Sequence, residues 1–223
     1  MEKATIAIGD VHGLDLWRDV VEAHPECRLV FLGDYLDPYG YVPREKLLEN
    51  LRSIIDLKRS RPEDVVLLLG NHDLHYFCDE ACVGTRFDME IAADASKLFL
   101  GNIHLFQYAF QDGEYLFTHA GVSQEWFDND FCGDAARPIA DQLNNPAADQ
   151  VPALLRVGYA RGGRRGDAGG IFWADKSELE EPLHGFTQIV GHNRVAEVTE
   201  RTGPGGGKIV FCDCLRNGLY LYI

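Results

Sequence analysis

Five apolar runs in this chain stop abruptly at side chains that bind metals or carry protons. "ATIAIGD" ends at Asp10, with His12 two residues on, and "CRLVFLGD" ends at Asp34. "DVVLLLGNHD" ends at Asn71, His72 and Asp73, "EYLFTHAG" at His119 and "FTQIVGH" at His192. Runs of Ile, Val, Leu and Phe need burial, whereas carboxylates and imidazoles need water, a cation or one another. Each run therefore reads as a buried strand whose exposed rim carries the polar groups. A glycine stands beside most of these residues and lets the backbone turn sharply.

One such ending is only a strand-to-turn signal. Five of them, all ending in ligand-type residues, point to a shared metal site, because open α/β sheets gather ligands at the carboxyl ends of their strands. The set is Asp10, His12, Asp34, Asn71, His119 and His192. It offers imidazole and oxygen donors without thiolate, which suits manganese first, with iron or zinc as alternatives. The set is too large for one tetrahedral ion, so two divalent ions sharing a bridging aspartate are expected. Such pairs sit about 3.5–4 Å apart and activate a water for in-line attack on phosphorus.

The first third alternates strand and helix. "LDLWRDVVEAH" is helical, and Pro43 opens a longer helix with Leu47, Leu51, Ile54 and Ile55 on one face. This order predicts a parallel sheet covered by helices. "IHLFQYAF", Asp112-Gly113 and "EYLFTHAG" then predict an antiparallel hairpin. Residues 123–157 read as mostly helical, and "GYARGGRRGDAGG" as a glycine-arginine loop. "VAEVTE", "KIVFCDC" and "LYLYI" return to strand around a glycine turn at 203–207. No linker or internal repeat is visible. One α/β domain over 1–223 is expected, with 74–100 and 123–157 as inserted helical caps.

With 223 residues, 46% hydrophobic, the chain can bury one sizeable core. Its net charge of −14 repels a nucleic acid duplex. A phosphorylated substrate must then be met by metal or by a few arginines. No apolar run approaches the ~20 residues that span a bilayer, so no membrane partner is expected. The amino terminus lacks a basic-then-apolar signal, which predicts a cytoplasmic protein whose six cysteines are reduced. Cys78-x3-Cys82 and Cys212-x-Cys214 have no matching partner pairs, so a zinc-thiolate site is not expected. No preference for an oligomeric state is legible.

"GDVHG", "GDYLD", "GNHD", "THAG" and "GHN" follow one another as in the calcineurin-like metallophosphoesterases. Within them the chain most resembles the phosphoprotein phosphatase branch, including its bacterial and phage members, over residues 5–223. The resemblance implies a four-layer α/β/β/α sandwich with small helical insertions and a dinuclear site. Asp10 and His12 would bind one ion, Asp34 would bridge, and Asn71, His119 and His192 would bind the other. His72 looks like the general acid for the leaving oxygen, oriented by Asp37, since a carboxylate behind an imidazole holds its tautomer. Asp73 is expected to fix the backbone. Pro38 stands where that branch has a phosphate-gripping arginine, and "FWADKSE" lacks the second one. Arg161, Arg164 and Arg165 of the glycine-rich loop, and Arg194 beside the last motif, are therefore the substrate-binding candidates, Arg161 and Arg164 foremost in the loop.

The implied activity is metal-dependent hydrolysis of phosphomonoesters on proteins or small molecules. "GNHDLH" is also similar to the symmetrical diadenosine tetraphosphate hydrolases, so dinucleoside polyphosphates are the alternative, although those enzymes lack the acid at Asp37. A non-catalytic binding module is disfavoured by the intact ligand set. His75 is expected at or near the surface. His24, His104 and His184 are expected to be structural, and Trp17, Trp126 and Trp173 to be core. Asp213 ends a late strand near the site.

Overall fold

Three apolar strands separated by two amphipathic helices set the frame. The computed structural model describes residues 3–223; residues 1–2 of the expected domain lie outside the described residues. Strands β1 (Thr5–Ile8), β2 (Arg28–Phe31) and β3 (Val65–Leu68) pair in parallel, with Ala7 opposite Val30 and Val30 opposite Val66. Helices α1 (Trp17–Ala23) and α2 (Arg44–Ser60) make the crossovers. Alternate residues of each strand point to opposite faces. Ile6, Ile8, Leu29, Phe31, Val65 and Leu67 meet the helices. Ala7, Val30, Leu32, Val66 and Leu68 meet a second sheet. Both faces are covered, which is why these strands read as unbroken apolar runs. Asn50 ties the two helices together: it accepts from the Trp17 indole at 3.0 Å and donates to the Leu14 carbonyl at 2.9 Å.

After α3 (Asn71–Leu74) and α4 (Ala92–Gly101), the chain enters β4 (Phe106–Gln107), β5 (Ala109–Asp112) and β6 (Tyr115–Thr118). Short helices α5 (Ile139–Asn144) and α6 (Val151–Leu154) lead to β7 (Thr187–Arg194), β8 (Thr199–Thr202), β9 (Lys208–Asp213) and β10 (Leu221–Tyr222). The first sheet has the order β10-β1-β2-β3-β4, and the second β5-β6-β7-β9-β8. Phe117, Ile189, Val210 and Cys212 of the second sheet close the core between the two. Helices lie on the outer face of each sheet, which gives the four-layer α/β/β/α arrangement.

Three segments depart from the sequence expectation. "IHLFQYAF" is two strands: β4 pairs with β3 in one sheet, whereas β5 pairs with β6 in the other. The crossing is held by Asn144, whose amide oxygen accepts from Tyr108 and Ala109 N–H and whose nitrogen donates back to the Ala109 carbonyl. Residues 75–91 are turns and irregular chain, so the expected 74–100 cap is helical only at Leu74, where α3 ends, and from Ala92 onward in α4. The 123–157 stretch holds a π-helical turn at Trp126–Asp130 besides α5 and α6, with irregular chain between.

Asp73 locks the ends of β2 and β3 together. Its two oxygens accept from the N–H groups of Asp34, Tyr35 and Gly70 at 2.8–2.9 Å, and it is fully buried. An asparagine there turns one acceptor into a donor that faces a donor. Asp73→Asn is expected to lower stability by about 1–3 kcal/mol, the cost of a buried unsatisfied group. Thermal unfolding of the variant beside the parent chain measures it.

Candidate active site

The polar rims converge. Asp10 follows β1, Asp34 follows β2, Asn71 opens α3 after β3, His119 follows β6 and His192 lies in the last turn of β7. Four site residues adopt left-handed backbone: His12 at φ 43°, Asp34 at 53°, Asp37 at 58° and His192 at 57°. His and Asp are among the non-glycine residues that tolerate this region, at a cost of about 1–3 kcal/mol each. His192 does so in a bulge, where the register of β7 against β9 shifts between Val190 and Arg194. Gly33 beside Asp34 turns the chain at φ 102°, whereas Gly70 and Gly191 serve space. A Cβ on Gly70 would stand 2.2 Å from Asp34 Oδ1, and one on Gly191 2.2 Å from Asp10 Oδ1.

Two groups of ligand atoms gather around Asp34. Those of Asp10, His12 and Asp34 lie within 4.8 Å of one another, and so do those of Asp34, His119 and His192. His12 Nδ1 donates to the Leu36 carbonyl at 2.8 Å and His119 Nδ1 to the Leu32 carbonyl at 2.7 Å. Each Nε2 is thereby left as an acceptor facing inward. His12 Nε2 stands 3.7 Å from Asp10 and 3.6 Å from Asp34, and His119 Nε2 stands 3.5 Å from Asp34 and 3.0 Å from Asn71 Oδ1. Acceptors thus meet acceptors. Ligands bonded at ~2.0–2.2 Å to one ion stand about 2.8–3.6 Å apart, which these spacings match or lie just beyond, as donors grouped for shared cations would. The buried His192 Nε2 and Asp213 Oδ2 have no hydrogen-bond partner.

Electrostatics agree. Burial, reinforced by Asp213 and Asp34, pushes the Asp10 carboxyl up, and burial with Asp73 does the same to Asp34. Burial drives His12 and His119 down to about 3 and carries His192 in the same direction. Crowded carboxylates and neutral imidazoles are the protonation pattern that cations relieve.

A second constellation adjoins the first. His72 Nδ1 contacts Asp37 Oδ2 at 2.7 Å, Tyr76 donates its hydroxyl to Asp37 Oδ1, and His75 Nε2 lies 2.9 Å from Asp37 Oδ2. Gly84 N–H donates to His75 Nδ1 at 3.1 Å, so the His75 proton sits on Nε2, toward Asp37. Burial alone would raise Asp37, but His72, His75 and Tyr76 outweigh it and hold the carboxyl below its ordinary value. Burial lowers His72, against the pull of Asp37. With the Gly84 N–H on His75 Nδ1 and a carboxylate before both imidazoles, the nitrogens facing Asp37 carry protons, so this group is hydrogen-bonded rather than arranged around an ion. They orient His72. Arg86 closes the group: its Nε donates to the Asp37 carbonyl at 2.9 Å, and Nη2 lies 3.2 Å from His72 Nε2.

His75 is buried, contrary to expectation. Its spacing of three residues from His72, on one helical turn, was the signal available. Arg86 and Tyr39 carried no signal; the 75–91 turns and the loop after Asp37 bring them in. Trp17 and Trp126 are core, whereas Trp173 is half-buried and faces His192 at 6.0 Å between rings. Asp10, Asp34, Asn71, His72, Arg86, Arg161, Trp173 and His192 line one cavity of about 390 Å³. Arg161 is anchored there by Asp175 at 2.9 Å and Asn193 at 2.7 Å. Arg164 is exposed on its loop, and Arg194 lies outside that lining, over the Tyr39 ring. Asp213 is buried beside Asp10, and burial raises its carboxyl to about 6.

Gly70→Ala is expected to displace Asp34 and abolish activity while the sheets persist. Loss of metal affinity with unchanged far-ultraviolet dichroism is the signature.

The profile of the calcineurin-like phosphoesterases matches residues 4–200. No curated protein matches the chain in sequence. Among solved structures, a cold-active protein-tyrosine phosphatase of a psychrophilic Shewanella species superposes with a TM-score of 0.57 at 19% identity, covering 96% of this chain and 72% of that one. A protein serine/threonine phosphatase from Saccharomyces cerevisiae, with similarity to human phosphatase PP5, gives 0.53 at 16% identity, over 94% and 67% of the two chains. These likenesses concern the fold. With the family profile covering most of its length, this chain belongs to the calcineurin-like phosphoesterases.

Proposed function

We propose that the chain is a metal-dependent phosphatase that works with two divalent ions and hydrolyses phosphomonoesters of small molecules or proteins. One observation carries the reading: two clusters of inward-facing acceptors share Asp34. Asp10, His12 and Asp34 would hold one ion, and Asp34, Asn71, His119 and His192 the other. Manganese suits this mixed imidazole and carboxylate set. When bound, the ions would supply Lewis acidity toward a phosphate oxygen and an activated water.

The remaining work belongs to the chain. His72 turns Nε2 to the cavity and Nδ1 to Asp37. That orientation suits delivery of a proton to the departing alkoxide. Asp37, held as a carboxylate by His75 and Tyr76, keeps the imidazole in place and opposes the lowering that burial and Arg86 impose on it. Arg86 and Arg161 bring guanidinium groups to the same cavity, where their forks match phosphate oxygens. Arg161 is the expected grip, and Arg86 stands in for the arginine that Pro38 lacks. Arg164 and Arg194 would act further out.

The relatives of the phosphoprotein phosphatase type and the His72–Asp37 pair favour phosphomonoesters. The comparisons lend no support to dinucleoside polyphosphates as substrates. No helix among the described residues is long and apolar enough to cross a membrane. We place the working protein in the cytoplasm as a single domain.

Two outcomes test this. Elemental analysis after manganese loading is expected to find two ions per chain, and Asp34→Asn is expected to lose metal and nearly all turnover while remaining folded. A fully active Asp34→Asn protein would refute the shared ligand. His72→Asn is expected to keep its metal and lose about 10²–10⁴-fold in kcat on alkyl phosphates, the usual worth of general acid catalysis. The loss should be smaller on p-nitrophenyl phosphate, whose leaving group needs little protonation. Equal losses on both substrates would remove the acid role.

A further inference from the structure

We propose that Tyr39 and the three arginines around it form a second anion subsite, and that the substrate carries a second phosphate besides the one cleaved. The Tyr39 ring is 44% exposed at the mouth of the site, and its centroid lies 4.8 Å from that of His12. Arg86, Arg194 and Arg216 place their Cζ atoms 3.9, 4.2 and 5.2 Å from its centroid. They arrive from three separate places: the 75–91 turns, the end of β7, and the 3-10 turn Leu215–Asn217 after β9.

Three guanidinium groups around one ring repel one another, and the aromatic face offsets only part of that. Six other arginines of this chain find carboxylates, among them Arg28 with Asp112, Arg44 with Asp88 and Glu90, Arg156 with Asp130 and Arg161 with Asp175. Arg18, Arg52, Arg137, Arg164, Arg165 and Arg201, unpaired among the described residues, are not gathered on one ring as these three are. Arg86, Arg194 and Arg216 form no ion pair among the described residues. Asp213 feels the charges of Arg194 and Arg86, but it is buried below them, turned toward Asp10. The surplus is the more telling in a chain of net charge −14. A dianion lying across the arginines removes the repulsion and fills forks suited to phosphate oxygens.

The subsite is continuous with the catalytic cavity. Arg86 touches both, with Nη2 3.2 Å from His72 Nε2 and Cζ over Tyr39. A substrate whose two phosphates are joined by a short carbon skeleton spans the two positions. A plain monoester fills the cavity and leaves Arg194 and Arg216 unmatched.

The proposal rests on the phosphatase reading, and its test separates the two. Calorimetry on manganese-loaded protein compares ethyl-, propyl- and butylphosphonate with the corresponding α,ω-bisphosphonates, which cannot be hydrolysed. At least one bisphosphonate is expected to bind about 10-fold or more tightly than its monophosphonate, as one added charged hydrogen-bond set provides. Arg194→Gln and Arg216→Gln are each expected to cut that preference about 3- to 10-fold, within the range for partly exposed charged contacts, and Arg216→Glu to cut it further. No preference across the series and none for a doubly over a singly phosphorylated peptide, or a preference unchanged in the Arg194→Gln/Arg216→Gln double variant, overturns the subsite. Arginine-dependent bisphosphonate binding by a chain that hydrolyses no phosphoester would overturn the phosphatase reading and leave the subsite standing. A singly and a doubly phosphorylated peptide form the second arm; a preference confined to the peptide pair assigns the second phosphate to a protein and overturns the small-molecule skeleton.

Discussion

The buried carboxylate of Asp34 is the point on which this structure hangs. It is shared by both ligand clusters, it accepts the His72 N–H at 2.8 Å, and Gly70 must lack a side chain for it to fit. Its own N–H is held by Asp73. A charge at such depth is costly unless something of opposite sign shares the space. Asp10, Asp73 and Asp213 stand close by and make the crowding worse. The fold therefore concentrates negative charge where cations can offset it, and the inward-facing imidazoles add neutral donors beside it.

Two stacked sheets make this concentration geometrically easy. Strand ends from both sheets open at one edge, so donors far apart in sequence meet without long loops. Asp10 and His192 are joined by a hydrogen bond across 182 positions. The left-handed residues at His12, Asp34, Asp37 and His192 are the local strain of this arrangement. The cores on either side of the sheets hold them there.

Charge is arranged against the general trend of the molecule. The surface is acidic overall, yet the mouth of the cavity gathers Arg86, Arg161, Arg194 and Arg216. Such a local field draws anions that the rest of the surface repels. Tyr39 is the surface on which three of those charges are stacked, and the network of Asp37, His75 and Tyr76 fixes the orientation of His72 at the cavity beside them.

The sequence by itself determined the parallel β-α-β-α-β start, the helices that cover it and the set of ligand-type residues at the strand ends. Those features are local: apolar runs fix strands, and glycines beside Asp34, Asn71 and His192 leave room for polar groups. The sequence did not reveal that Phe106–Gln107 and Ala109–Asp112 belong to different sheets, because a side chain 35 residues on, Asn144, decides the crossing. Nor did it reveal that His75 is buried against Asp37, or that Arg86 and Tyr39 reach the site. Those residues lie in turns and loops without periodicity, so their positions follow from what the surrounding chain packs against. The candidate ligands were legible in strand-end chemistry; the company those residues keep was decided only by tertiary packing, because contacts between irregular segments leave no repeating pattern in the chain.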